Sequence, residues 1–115
     1  MPEGNIPNEF KIRNDKYRRK RGGTSTMYVI KCAECGDNVL IYQKDGVGAL
    51  VRMYLDRILW PDNLINLDRK INSTKDFSAL ICQRCGNIIA TPMLYKKEHR
   101  YAWRIKRGSI KKKRL

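Results

Sequence analysis

The stretch that decides the reading is ALICQRCGNIIATP, residues 79–92. Cys82 and Cys85 are separated by two residues, Gly86 follows at once, and apolar runs flank both sides. An earlier stretch, YVIKCAECGDNVLIY at residues 28–42, repeats this layout around Cys32, Cys35 and Gly36. The repetition has a chemical reason. Two intervening residues let the backbone curl until both thiolates face one ion. The residue after the pair often needs a positive φ, which glycine adopts without steric cost. Two such pairs complete a tetrahedral shell of four sulfurs, each about 2.3 Å from a zinc ion. Every coordination position is then filled by protein, so the expected cofactor is one structural Zn²⁺. Each unit gives half of the site, and neither holds the ion alone.

The flanks point to an architecture. MYVIK and VLIY bracket the first pair, FSALI and NIIAT the second. These short runs, rich in Val, Ile and Tyr, read as strands, which sets each pair at the tip of a β-hairpin. Two hairpin tips facing each other across one metal resemble the zinc-ribbon class over residues 28–43 and 78–92, with Cys32, Cys35, Cys82 and Cys85 on that class's ligand positions. The resemblance implies a fold and a metal. It does not imply a job, because the class includes ribosomal proteins, transcription factors and accessory modules of enzymes. The 46 residues between the pairs are long for a plain ribbon. Three other uses of the cysteines compete. A disulfide framework needs an oxidising compartment. A thioredoxin-like dithiol sits at a helix start. A rubredoxin-like iron takes the same four thiolates.

The interval between the pairs carries apolar residues at Val47, Leu50, Val51, Tyr54, Leu55, Ile58 and Leu59. That series has the period of an amphipathic helix. It predicts a helix over 47–60 with Asp45 as N-cap and Pro61 as terminator. Its polar face would carry Arg52, Asp56 and Arg57, the two arginines being candidates for a phosphate backbone. Leu64, Ile65 and Leu67 are expected to pack, and the polar stretch 68–76 to form an exposed loop.

The formal net charge is +14, and it is unevenly placed. Residues 1–27 carry +4, residues 28–94 carry +1, and residues 95–115 carry +9. A nearly neutral centre with basic ends points to a polyanion partner. Residues 1–26 read as an extended basic arm in which Lys16, Tyr17, Arg18, Arg19, Lys20 and Arg21 offer cations and one stacking ring to nucleic acid. From His99 the chain alternates. His99, Tyr101, Trp103 and Ile105 fall on one strand face, and Arg100, Ala102, Arg104 and Lys106 on the other. Arg100, Arg104 and Lys106 are therefore candidate contacts, extended by Arg107, Lys111, Lys112, Lys113 and Arg114 in a basic tail over 107–115. His99, the lone histidine, reads as a packing or stacking residue rather than a metal ligand.

The expectation is thus a small α+β protein. A zinc-ribbon domain over 27–106, with an antiparallel sheet of two knuckle hairpins and one inserted helix, lies between basic extensions. No apolar run is long enough for a membrane span, and no secretory signal opens the sequence. A reducing, cytoplasmic setting is expected, with nuclear import through KKKRL left open. There is no H-E-x-x-H, no phosphate-binding glycine loop and no suggestive pair of carboxylates, so no enzyme and no small-molecule substrate is expected. The expected role is binding structured RNA, in preference to DNA, within a ribonucleoprotein. The layout resembles small ribosomal proteins and implies further protein neighbours. The alternative is a zinc-ribbon adaptor in a DNA transcription, replication or defence complex.

Overall fold

The structure, a computed structural model, describes residues 9–115. These residues form a mainly β protein with one short helix, α1 (Lys16–Lys20). The strands are β1 (Ser25–Cys32), β2 (Asn38–Asp45), β3 (Arg52–Tyr54), β4 (Ile58–Trp60), β5 (Leu80–Ile81), β6 (Ile88–Tyr95), β7 (Arg100–Ile105) and β8 (Ile110–Arg114). They make two antiparallel four-stranded sheets, ordered β4-β2-β1-β8 and β3-β7-β6-β5. Each sheet contains one of the cysteine hairpins, β1–β2 in the first and β5–β6 in the second. Alternate residues of β1 and β2, namely Ile30, Cys32, Leu40 and Tyr42, enter a core shared with Met53, Leu80, Ile89 and Trp103 of the second sheet. Strand periodicity of two is what delivers one residue in two to that layer.

The helix expected over 47–60 does not form. The segment is β3, a 3₁₀ turn over Leu55–Arg57, and β4. β3 pairs with β7 in the second sheet and β4 with β2 in the first, so the segment crosses from one layer to the other. The apolar series had helical spacing, but the residues between its members are buried too. Met53, Arg57 and Trp60 are no more than 8% exposed, while Val47 and Val51 of the series are 99% and 54% exposed, so burial does not follow a helical stripe. Gly46 and Gly48, at φ of +75° and +111°, break the backbone just before it. Asp45 ends β2 and caps nothing. The stretch 64–76 is loop with two 3₁₀ turns, Leu67–Lys70 and Thr74–Asp76.

The basic extensions also differ from expectation. Residues 1–8 lie outside the described residues, but 9–26 are folded onto the first sheet. Phe10 packs on Val29, Ile41, Leu59 and Trp60 on that sheet's outer side. The fully buried Gln43 side chain accepts from the Arg13 backbone N–H and donates to the Arg13 carbonyl, both at 2.7 Å, imitating a strand neighbour. Asp15 caps α1 by accepting from the N–H groups of Tyr17 and Arg18. At the other end, residues 110–114 are strand β8, which pairs with β1 from Tyr28↔Arg114 to Cys32↔Ile110. A free tail over 107–115 is replaced by an edge strand. The alternation after His99 does form a strand, β7, and Trp103 is 3% exposed, its Nε1–H donating to the Ser78 carbonyl at 2.9 Å.

A polar seam joins the layers at the end of the β1–β2 hairpin remote from the cysteines. Arg57, 1% exposed, pairs with Asp45 at 2.7 Å and with Asp15 at 2.5 Å. Asp56 lies 3.6 Å from Arg57 and pairs with Arg100 at 2.6 Å. Arg100 continues to Glu98, which also binds Arg21, both at 2.9 Å. The Arg100 guanidinium lies between the rings of Tyr54 and Tyr17, 3.7 and 4.1 Å from their centroids. Burial alone would raise the Glu98 carboxyl, but the hydrogen bonds and charges of Arg21 and Arg100 outweigh it and bring it down to about 2.

Trp103→Ala should lower unfolding free energy by about 3–5 kcal/mol in urea denaturation, the usual cost of emptying a buried aromatic site. Glu98→Gln should destabilise the protein at pH 7, because it leaves two arginines short of a partner. A carboxylate held below its ordinary value of 4.5 stabilises the fold above that pH, and the contribution is lost as pH falls toward 2. The stability difference between native protein and Glu98→Gln should therefore shrink through that interval.

Candidate metal centre and basic surface

The two knuckles are built alike. The Cys32 N–H donates to the Asp37 carbonyl and the Gly36 N–H to the Cys32 carbonyl, at 2.9 and 2.8 Å. The Cys82 N–H donates to the Asn87 carbonyl and the Gly86 N–H to the Cys82 carbonyl, both at 2.9 Å. Gly36 and Gly86 take φ of +79° and +81°, as the spacing demanded. The four sulfurs then lie within 4.8 Å of one another, with Cys32 to Cys85 at 3.6 Å and Cys35 to Cys82 at 3.5 Å. Sulfurs of a tetrahedral shell with metal bonds of about 2.3 Å stand about 3.8 Å apart. The set therefore fits one metal ion, with each contact pair taking one cysteine from each sheet.

Hydrogen bonds prepare the sulfurs for a cation. Burial opposes a Cys32 thiolate, but the Cys35 N–H, the Asn87 side-chain amide and the Glu34 N–H outweigh it and bring the thiol down to about 6. The Asn87 amide nitrogen is 3.5 Å from that sulfur. At Cys85 the Asn87 N–H favours the thiolate, yet burial and the crowding thiols push it up to about 12. Four thiolates this close need a positive ion among them to be charged together. Asn87 was not singled out in the sequence; its place just after a knuckle glycine was the available signal.

The candidate nucleic-acid residues separate into two groups. Arg100 is buried in the seam, Arg21 is held by Glu98, Arg18 donates to Ser25 at 2.8 Å, and Tyr17 stacks on Arg100. These four serve the fold. Lys16, Arg19, Lys20, Arg104, Lys106, Arg107, Lys111, Lys112, Lys113 and Arg114 are exposed. They occupy three places: α1, the β7–β8 corner, and β8. Lys111–Arg114 also protect an unpaired sheet edge, since cations there discourage pairing with another strand. His99 is exposed and meets Tyr101 edge-on at 6.2 Å between centroids, away from the cysteines. No described helix is long and apolar enough to cross a membrane.

Compared with known proteins, the chain matches no family model, no curated protein and no solved structure.

Cys82→Ser should abolish stoichiometric metal, measured by elemental analysis, and lose most of the stability that metal binding gives, on the order of 10 kcal/mol. Gly86→Ala meets no atom within 4 Å but keeps φ at +81°. It should therefore cost about 1–2 kcal/mol in thermal unfolding while metal content stays complete.

Proposed function

We propose that this is a zinc-stabilised nucleic-acid-binding protein without catalysis, and that its ligand is structured RNA. Zinc fits a closed shell of four thiolates and needs no redox partner. The observation that carries the reading is how the charges are sorted. Asp15, Asp45, Asp56 and Glu98 are tied up with Arg57, Arg100 and Arg21 in the seam. Of the ten exposed candidate cations, Lys20 lies 3.6 Å from Glu98, and the other nine pair with no carboxylate among the described residues. Phosphate backbones are bound through such charges, with release of counterions. Three separate basic places suit an irregular RNA surface better than a smooth duplex. The mode differs from threading tails, because 9–26 and 110–114 are already folded. Within a ribonucleoprotein this rigid basic body would lie on RNA, with other proteins as neighbours.

A second reading, an adaptor subunit of a DNA transcription, replication or defence complex, is favoured by a groove of about 680 Å³ beside β5. Its lining includes Val39, Pro61, Leu64, Leu67, Ile81 and Trp103. Titration with RNA and DNA at two salt concentrations separates the readings. The RNA reading expects tighter binding to a folded RNA than to a DNA duplex, with affinity falling steeply as salt rises. Replacing Lys111 and Lys113 together by Gln should weaken binding on all sequences and reduce the salt slope by about 2. Absence of binding to either polymer overturns the RNA reading and leaves the adaptor.

A further inference from the structure

The end of the molecule remote from the cysteines opens into a cleft of about 470 Å³ between the sheets. Six cations line it: Lys20, Arg21, Lys44, Arg52, Arg57 and Arg100. The carboxylates that bind them are Asp15, Asp45, Asp56 and Glu98. Six positive against four negative charges leaves two uncompensated, and they fall on Lys44 and Arg52. Lys44 is 9% exposed, and its ammonium meets only the Gly46 carbonyl, at 3.2 Å. No carboxylate pairs with it among the described residues. Burial and the charges of Lys112 and Arg21 lower its pKa, outweighing the attraction of Asp45.

Arg52 is prepared in a different way. Its guanidinium lies 4.5 Å over the Tyr95 ring and reaches the Tyr54 hydroxyl at 3.4 Å. A guanidinium stacked on a ring keeps its edge N–H donors free for a planar or tetrahedral anion. Across the ladder its partner is Arg104. Like charges placed opposite one another destabilise a sheet, and an anion bound between the sheets offsets that cost. The opening is lined by the Gly46–Val47 turn, where Val47 is 99% exposed.

We propose that this cleft is a phosphate-binding subsite, in which Lys44 and Arg52 grip one phosphate group while Lys20 and Arg21 form its rim. The two uncompensated charges match a phosphate group, which carries one charge as a backbone diester and about two as a terminal monoester. That the phosphate belongs to a polynucleotide rests on the function proposed above; the cleft itself does not.

The test uses the full chain with its metal bound, as native protein and as Lys44→Gln and Arg52→Gln. Inorganic phosphate is titrated while amide resonances of residues 44–54 and the melting temperature are followed. Phosphate should shift those resonances and raise the melting temperature of the native protein, and each variant should lose at least tenfold in phosphate affinity. Oligonucleotides with a 5′-phosphate and a 5′-hydroxyl are then compared. A terminal-phosphate site gives a preference of about tenfold for the phosphorylated strand that disappears in Lys44→Gln. A backbone site gives equal weakening of both strands and a salt slope reduced by about 1. Either pattern supports the subsite. Native protein that binds polynucleotide, ignores phosphate and is unaffected by both substitutions overturns the subsite and leaves the exterior reading intact. Phosphate binding at the cleft with no polynucleotide binding supports the subsite and overturns the RNA reading.

Discussion

Two four-stranded layers come within reach of one metal ion because each of them ends a hairpin in the same five-residue knuckle. Four thiolates within 4.8 Å cannot all be charged without a cation among them, and an ion bound there would fix the second sheet against the first at one end. The registers of β1–β2 and β5–β6 follow from it, since a slip of one residue would turn a thiol away from its partners. The opposite end has no metal and is closed by guanidinium groups instead. Arg57 and Arg100 are almost fully buried, yet Arg57 faces three carboxylates and Arg100 two. Buried pairs of this kind add little net stability compared with apolar packing, but they penalise every arrangement that leaves a charge alone. The sandwich is thus specified at both ends by groups that cannot be left unpaired, with apolar layers such as Ile30, Leu40, Met53 and Trp103 between them.

The seam also shapes the exterior. An acidic side chain that binds an interior arginine cannot moderate the surface potential. The outer charge is therefore more positive than the overall composition suggests, and it is arranged on rigid strands and one helix turn. Cations fixed in this way lose little freedom on meeting a polyanion, which favours affinity over adaptability. The same lysines discourage β8 from pairing with another sheet edge, so under the RNA reading one run of residues would serve both edge protection and ligand attraction.

What the sequence disclosed was local. The C-x-x-C-G units contain their own geometry, so the knuckles, the glycine φ values and the metal set could be read from spacing alone. β7 was legible as a strand from its alternation, but not its faces: Arg100 and Ala102, expected on the cation-bearing side, are buried along with Trp103. The apolar series of 47–60 has helical spacing, but burial there follows the crossover instead: Val47 and Val51 are exposed, and Met53, Arg57 and Trp60 between its later members are buried. Arg57 looked like a solvent-face residue until Asp45 and Asp15 came to meet it from 12 and 42 positions away. The N-terminal segment looked too polar to fold because its anchors, Gln43 and Arg57, lie elsewhere in the chain. Strand β8 was hidden by its composition, since lysine is a poor strand former and its position at a sheet edge is set by β1.

The pairing of β1 with β8 joins residues as far apart in the chain as Tyr28 and Arg114. During synthesis β1 emerges from the ribosome long before its second neighbour exists. Throughout that interval β1, with Val29 and Ile30 at its centre, presents an open flank, with the knuckle at its tip holding only half of an ion's ligands. Completion of the first sheet and of the four-cysteine set both wait on downstream translation.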